Sequence, residues 1–412
     1  TVGIVGRAYS LGWSAFWWLG SGAVGLTLLG WLFVAPMRRN ARTRTLPAWL
    51  GDCYGRPARV LAAGLIVVMW TGVIAAQWAA GATLLRGMFG LPAWAGVGLA
   101  AAVVAVYTAM GGQLSVLRTD VFQGGLIALA VLLPHVFLRT SGEAGVTTET
   151  AFNLLPPRGI GWFDWTALVV VVGGMYAVGP DLCSRVLTAA DDRQARRGAW
   201  LAAPVLLLAS VAVVSLGIRI RAAGIEFDSP QQALSAFLSD PKRVPPVFAA
   251  LVQVGLLGAL FSSADTCLHT AASVAVLDTG LVSESTSETV RARLARGLVV
   301  LLALVSALVA WLHPGIIPNM LLAYGFYAGG LLAPLFLLAM PARARAASRP
   351  VVWCAMMIGG LVPVALIVSG RIGGYAQAGF VGFLVSAVIL CLGTAARAGL
   401  GGVSEPKVTG RT

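Results

Sequence analysis

The stretch GALFSSADTCLHTAASVAVLD, residues 258–278, closes an apolar run that begins at Pro246. Small and hydroxyl residues recur in it at a spacing of i, i+3, i+4 and i+7, which places them on one helix face: Ala259, Ser262, Ser263 and Thr266. Polar groups inside a membrane helix are costly, so this row predicts a path or a binding site for an ion or solute. Close packing between helices is the alternative interpretation of such small residues.

The composition excludes an ordinary soluble protein. Of the 412 residues, 58% are hydrophobic and 11% are charged, whereas soluble domains carry about 25% charged residues. The mean hydropathy is +0.85. The net charge of +13 comes from arginines in short gaps between apolar runs rather than on one polar face, so no nucleic-acid partner is expected. These features predict an integral membrane protein.

Eleven apolar runs are long enough to span a bilayer as helices. They lie near residues 14–36, 60–85, 92–110, 119–138, 162–180, 198–218, 246–277, 294–312, 315–340, 350–369 and 373–396. Their continuous Leu, Val and Ala content favours helices over the alternating strands of a barrel. The predicted fold class is an all-α, polytopic membrane protein.

Charge in the loops predicts the orientation of these spans. Most of the 29 lysines and arginines fall on one side, which is therefore expected to be cytoplasmic together with the carboxy-terminal tail. The five cysteines and three histidines show no spacing typical of a disulfide framework or a zinc site.

Sodium suits the hydroxyl row chemically, because it is a hard cation that binds oxygen ligands. Two adjacent serine hydroxyls supply part of a shell, and carbonyls freed in a discontinuous neighbouring helix would supply the rest. Asp265 adds a carboxylate to the same apolar helix, with His269 one turn later. Proton coupling through Asp265 therefore stays open as an alternative.

Three further clusters combine polar or helix-breaking residues with apolar spans. Asp120 is predicted to follow a short turn at the start of a helix, where Thr119 and Asp120 also fit an ordinary amino-terminal cap. Gly179-Pro180 predicts a helix break before a basic loop. Gly329-Gly330, beside Tyr324, indicates either a packing kink or a mobile gate.

Four segments together resemble the sodium:solute symporter family. They are TLPAWLGDCYGRPARVL (45–61), YTAMGGQLSVLRTDVFQ (107–123), SRVLTAADDRQARR (184–197) and LGALFSSADTCLHTAASVAVLD (257–278), in the family's order. The resemblance implies a LeuT-type fold of two inverted five-helix repeats over residues 1–341, with the first helix incomplete. It implies two additional helices over 342–397 and a cytoplasmic tail over 398–412.

The resemblance also implies site residues. A sodium ion would be bound by the carbonyl of Ala259 and the hydroxyls of Ser262 and Ser263. A possible second cation site would comprise Asp120, Ser262, Asp265 and Thr266. Solute contacts are expected near Tyr176, Gly179 and Tyr324.

The expected function is sodium-coupled symport of a small organic solute across the bacterial cytoplasmic membrane by alternating access. The solute would be a sugar, an amino acid or a carboxylate, with Na⁺ as coupling ion, no organic cofactor and membrane lipid as the surroundings. Alternatives are proton coupling and a transport-inactive sensor, against which the short tail argues. No nucleophile–base or metal motif predicts an enzyme.

Overall fold

The computed structural model describes residues 2–39, 45–138, 160–224, 230–283, 285–340 and 347–399, with the side chains of 111–122, 231 and 397–399 left out. Across this part of the chain the regular structure is helical and contains no strand. Ten helical segments in it are long and apolar enough to cross a membrane. They confirm the all-α class and ten of the eleven predicted spans.

The helices of the described residues are numbered α1 to α17. In chain order they are α1 Val2–Leu11, α2 Trp17–Leu28, α3 Val34–Arg38, α4 Leu46–Tyr54, α5 Arg56–Phe89, α6 Ala93–Leu132, α7 Pro134–Phe137, α8 Trp162–Val178, α9 Pro180–Thr188, α10 Asp192–Ala222, α11 Ala233–Leu238, α12 Pro246–Asp278, α13 Glu288–Leu312, α14 Ile316–Tyr327, α15 Ala333–Ala339, α16 Arg349–Val368 and α17 Tyr375–Gly399. A π-helical turn joins α2 to α3 and another joins α14 to α15.

The predicted turn between the spans 92–110 and 119–138 is wrong, because α6 is one continuous helix from Ala93 to Leu132. Glycines weaken a helix but keep the backbone N–H that proline lacks, so Gly111-Gly112 does not end it. The next element, α7, begins instead at Pro134.

Contacts on α12 show that α6 is not straight. The Tyr107 hydroxyl donates to the Phe261 carbonyl, and a Cβ at Gly255 would lie 2.8 Å from the Leu126 carbonyl oxygen. In a straight helix residues 107 and 126 would be about 28 Å apart, whereas six residues along α12 cover about 9 Å. The helix therefore bends between these two contacts.

One set of helices, called here the first helix group, comprises α1, α2, α3, α8, α9 and α10. Glycines allow their backbones to touch, because a Cβ at Gly25 of α2 would lie 2.0 Å from the Gly173 carbonyl oxygen of α8. A Cβ at Gly217 of α10 would likewise lie 2.4 Å from the Val5 carbonyl oxygen of α1. Small residues drive such close packing where lipid replaces water.

A second helix group comprises α4, α5, α6, α12 and α13. Its centre includes Trp78 of α5, fully buried, whose indole N–H donates to the Ser306 hydroxyl of α13 at 2.8 Å. A buried indole is stable when its N–H is satisfied in this way. The two groups pack side by side, with α14 between them.

The carboxy-terminal helices α16 and α17 pack against the π-helical turn that follows α14. Gly329 in that turn lies so near α16 that a Cβ would be 2.1 Å from the Gly359 carbonyl oxygen. All five residues of the turn are buried. The glycine pair 329–330 therefore serves close packing.

The predicted break at Gly179-Pro180 is confirmed, since α8 ends at Val178 and α9 begins at Pro180. A helix end leaves carbonyls without intrahelical partners. The Tyr327 hydroxyl of α14 donates to the Val178 carbonyl, so one freed acceptor is satisfied inside the protein.

Candidate solute and cation site

A cavity of about 450 Å³ lies between the two helix groups. Five helices line it: α5 with Trp70, Val73 and Gln77; α8 with Met175 and Tyr176; α9 with Asp181, Leu182 and Arg185; α12 with Ser262, Ser263, Thr266 and Cys267; and α14 with Met320 and Tyr324. This volume is within the range of small-molecule sites, about 300–1,000 Å³. The cavity is thus large enough for a small organic solute.

The hydroxyl row of α12 opens onto this cavity through Ser262, Ser263 and Thr266. The Ser263 hydroxyl donates to the Ala259 carbonyl at 3.0 Å. A hydroxyl that donates its hydrogen keeps two acceptor lone pairs, and a carbonyl oxygen also has two. The Ser263 oxygen therefore keeps two lone pairs for a cation, whereas the Ala259 carbonyl already accepts this hydroxyl and, inside α12, the Ser263 backbone N–H, so a cation would replace one of these donors.

Of the two carboxylates expected at a second cation site, Asp265 is not among the described residues that line the cavity. Asp265 is 1% exposed and lies within α12, beside the cavity-lining residues but not among them. Asp120 falls in the stretch whose side chains are not described. Of the four residues expected at that site, Ser262 and Thr266 face the cavity.

The expected solute residues divide into two kinds. Tyr176 and Tyr324 line the cavity. Gly179 is not among the lining residues and lies at the break between α8 and α9, where a Cβ would be 2.4 Å from the Met175 carbonyl oxygen and 2.9 Å from Asp181 Oδ1. Gly179 therefore makes room for the tight connection that brings Asp181 to the cavity.

Two charged residues of the wall, Asp181 and Arg185, were missed by the sequence interpretation. They are four residues apart on α9, so both project from one side of that helix. The signal was present, because Asp181 directly follows the Gly179-Pro180 break inside an apolar run. The nearby basic loop instead favoured an ordinary helix end.

Polar groups on α5 were also missed. Trp70, Val73 and Gln77 lie at i, i+3 and i+7, the spacing of one helix face. Trp70 is 4% exposed, and its indole N–H has no hydrogen-bond acceptor within the described part of the chain. A buried donor that lines a cavity can bind a polar solute atom.

Two solved structures share this fold. A Na⁺-coupled sialic acid symporter in a substrate-bound outward-open state superposes with a TM-score of 0.78, covering 96% of this chain and 86% of its own at 18% identity. Mhp1, a nucleobase-cation-symport-1 family transporter, superposes with a TM-score of 0.62, covering 97% and 89% at 13% identity. The molecule is a multi-pass membrane protein with the LeuT-type transporter fold.

The sequence pattern of the sodium:solute symporter family matches residues 1–359, so the chain belongs to that family. Similar proteins include the high-affinity proline transporter PutP of Bacillus subtilis (strain 168), 24% identical over 75% of this chain and 69% of its own length. The sodium/proline symporter of Staphylococcus aureus is 25% identical over 82% of this chain and 70% of its own. The family and these relatives are transporters rather than enzymes.

Proposed function

We propose that this protein is a secondary active symporter that couples sodium to the import of a small zwitterionic solute of the amino-acid class. It would act in a bacterial cytoplasmic membrane, with its carboxy-terminal tail inside. The observation that carries the proposal is the cavity shared by the α12 hydroxyls and by Tyr176 and Tyr324. The names of the proline-transporting relatives support the amino-acid class.

Sodium would bind at the α12 wall through the Ala259 carbonyl and the hydroxyls of Ser262 and Ser263. All three oxygens belong to one helical turn, and the Ser263–Ala259 hydrogen bond fixes two of them at 3.0 Å. Oxygen donors held in this way match the preference of a hard cation. A second cation at Thr266, Ser262, Asp265 and Asp120 remains a proposal that awaits a count of bound ions.

The two charges of α9 favour a zwitterion over a sugar or a simple carboxylate. Asp181 suits an ammonium or imino nitrogen, and Arg185 suits a carboxylate, which its planar guanidinium recognises through two parallel hydrogen bonds. The indole N–H of Trp70 and the amide of Gln77 add polar contacts on the opposite wall. Tyr176 and Tyr324 supply aromatic surface for an apolar ring or chain.

Coupling would arise because the cation and the solute occupy one cavity between two helix groups. Each ligand can shift the arrangement of the groups only if its affinity differs between arrangements. One charge crossing 100 mV gives about 2.3 kcal/mol, and a tenfold sodium gradient adds about 1.4 kcal/mol. Their sum corresponds to a solute accumulation of a few hundred-fold per sodium ion.

The test is uptake of radiolabelled proline and a panel of other amino acids, sugars and carboxylates into proteoliposomes carrying the full chain. An inward sodium gradient is expected to drive uptake of an amino or imino acid, and choline in place of sodium is expected to abolish it. Uptake that is unchanged in choline would overturn sodium coupling, and transport restricted to sugars would overturn the zwitterion assignment.

Matched serine variants of α12 refine this test. S262A and S263A each remove a proposed ligand, and a hydrogen-bond partner of a charge contributes about 1.5–3 kcal/mol. The half-saturating sodium concentration should therefore rise about ten- to hundredfold. S273A is the control, because Ser273 lies on the same helix outside the cavity wall. An equal rise in S273A would contradict direct ligation.

Proton coupling is the second candidate, favoured by the burial of Asp265 in α12 at 1% exposure. D265N removes the titratable carboxylate while keeping the side chain's shape. A carrier driven by sodium at the Ala259, Ser262 and Ser263 oxygens should still require sodium in D265N and show little change in the pH profile of uptake. Uptake that follows a pH gradient in the natural chain and is lost in D265N would favour the proton instead.

A further inference from the structure

A second cavity, of about 530 Å³, lies at the start of α10 and shares no residue with the solute cavity. Its lining consists of Asp192, Arg193, Arg196, Arg197 and Trp200. Three guanidinium groups thus converge within five residues of one helix. Such a concentration of positive charge calls for an anionic ligand or for acidic partners.

The two carboxylates at the start of α10 already have partners other than the three arginines. Asp192 receives Arg38 Nε at 2.8 Å, and Asp191 accepts the Gln194 backbone N–H at 2.7 Å as the helix cap. Arg196 Nε is shielded from solvent, and none of the described groups accepts a hydrogen bond from it. A buried guanidinium N–H without an acceptor is unfavourable. A negatively charged oxygen bound in this cavity would supply the missing acceptor.

The helix face beyond the arginines is apolar and open. Leu201, Val205 and Leu208 are 69%, 64% and 71% exposed, at the i, i+4 and i+7 spacing of a single stripe. Trp200 is 45% exposed and lies between this stripe and the arginines. Its indole nitrogen packs so near Gly30 that a Cβ there would be 2.4 Å away. Tryptophan is typical of the boundary between headgroups and acyl chains.

We propose that this cavity binds the phosphate headgroup of an anionic phospholipid, with the acyl chains lying along Leu201, Val205 and Leu208. Arginine suits phosphate because its planar guanidinium donates two parallel hydrogen bonds. Basic pockets beside membrane helices bind anionic headgroups for the same reason. The continuous apolar stripe favours a lipid over free phosphate, which would use only the arginines.

The experiment uses the purified full chain in a non-ionic detergent. Phosphatidylglycerol, phosphatidylcholine with the same chains, and inorganic phosphate are each titrated, with bound lipid counted by native mass spectrometry and thermal unfolding followed in parallel. Phosphatidylglycerol is expected to bind and to raise the unfolding temperature, whereas the other two are not. Equal binding of phosphatidylcholine would overturn the proposal, and so would full competition by millimolar phosphate.

The triple variant R193Q/R196Q/R197Q tests the site itself. Each arginine contributes roughly a factor of five to attraction of an anionic surface, so phosphatidylglycerol affinity should fall on the order of 100-fold. The matched control is R291Q/R293Q/R296Q, which removes three arginines from the start of α13. An equal fall in both variants would show unspecific surface charge and would overturn the proposal. The comparison of lipids on the unaltered chain decides the matter even if a variant misfolds.

Discussion

Two arginines near the same end of the molecule each stabilise one of its two helix groups, and they do so in different ways. Arg38 ends α3 and reaches the first group's α9–α10 connection, with Nη1 donating to the carbonyls of Val186 at 2.7 Å and Ala189 at 2.8 Å. Arg59 belongs to α5 and binds Asp278, the last residue of α12, at 2.7 Å within the second group. Each arginine joins helices of one group, and neither ties one group to the other.

The two arrangements also differ in what they satisfy. Arg38 serves mainly as a cap for freed carbonyls, and its acidic partner Asp192 has a side chain that is 53% exposed. Arg59 neutralises a carboxylate whose side chain is fully buried and which also accepts the Thr45 hydroxyl at 3.1 Å. The difference teaches that each group is stabilised internally by its own arginine, through freed carbonyls in the first group and through a buried carboxylate in the second.

The largest effect is expected from R59Q, which leaves the buried Asp278 carboxylate without its counter-charge. Removing one partner of a buried pair costs about 3–5 kcal/mol. Denaturant unfolding in detergent measures the free energy of unfolding. The double variant R59Q/D278N should recover most of the loss, and an R59Q protein as stable as the natural chain would contradict this account.

The next largest effect is expected from G25A in the first helix group. Its new methyl would lie 2.0 Å from a backbone oxygen of α8, and overpacking costs about 1–3 kcal/mol. G255A in the second group should cost less, since its nearest oxygen is 2.8 Å away. G64A is the control, because nothing lies within 4 Å of that position and alanine favours a helix there. Equal unfolding temperatures for all three variants would refute glycine-mediated packing.

R38Q should lower the free energy of unfolding by about 2 kcal/mol, through lost hydrogen bonds to the freed carbonyls at the end of α9. R38K keeps the charge but not the planar set of donors, so it should restore only a small part of the loss. Denaturant unfolding compares the free energies of unfolding of R38Q, R38K and the natural chain. An R38K protein as stable as the natural chain would show that the charge alone matters.

The smallest effect is expected from D192N, which removes the exposed partner of Arg38. Exposed ion pairs contribute about 0–1 kcal/mol, so the free energy of unfolding should change by less than 1 kcal/mol. The contrast between D192N and R59Q is the sharpest measure of the difference between the two regions. A loss in D192N as large as that in R59Q would erase the distinction.

Hydropathy and the spacing of polar residues along helices were sufficient to predict most of the architecture from the sequence. The ten confirmed spans follow from apolar length, and the side of α12 that faces the cavity follows from the i, i+3, i+4 spacing of Ser262 and its neighbours. The predicted turn before Thr119 was wrong, because α6 continues as one helix to Leu132 and the next helix begins at Pro134. That Ser262, Ser263, Tyr176 and Tyr324 bind ligands stays a prediction.

The missed cavity residues show what helix-by-helix reasoning lacks. Trp70 and Gln77 are single residues in a long apolar helix, and only the packing of α5 against α8, α12 and α14 turns their face towards a cavity. The sequence interpretation assigned Asp181 to the end of a helix before a basic loop. It could not show how far inside the helix bundle α8 ends. Contacts between helices distant in sequence show this position. The hydrogen bond from the Tyr327 hydroxyl to the Val178 carbonyl places the end of α8 beside α14, inside the protein.

The interruption at Gly179-Pro180 sets α9 off from α8 as a separate short helix. Pro180 has no backbone N–H to satisfy, and the hydroxyl from α14 already occupies the Val178 carbonyl, so neither group is left bare in an apolar interior. Asp181 and Arg185 lie in the first two turns after the interruption. Two charged side chains therefore reach the cavity wall without the added cost of these two backbone groups being unsatisfied.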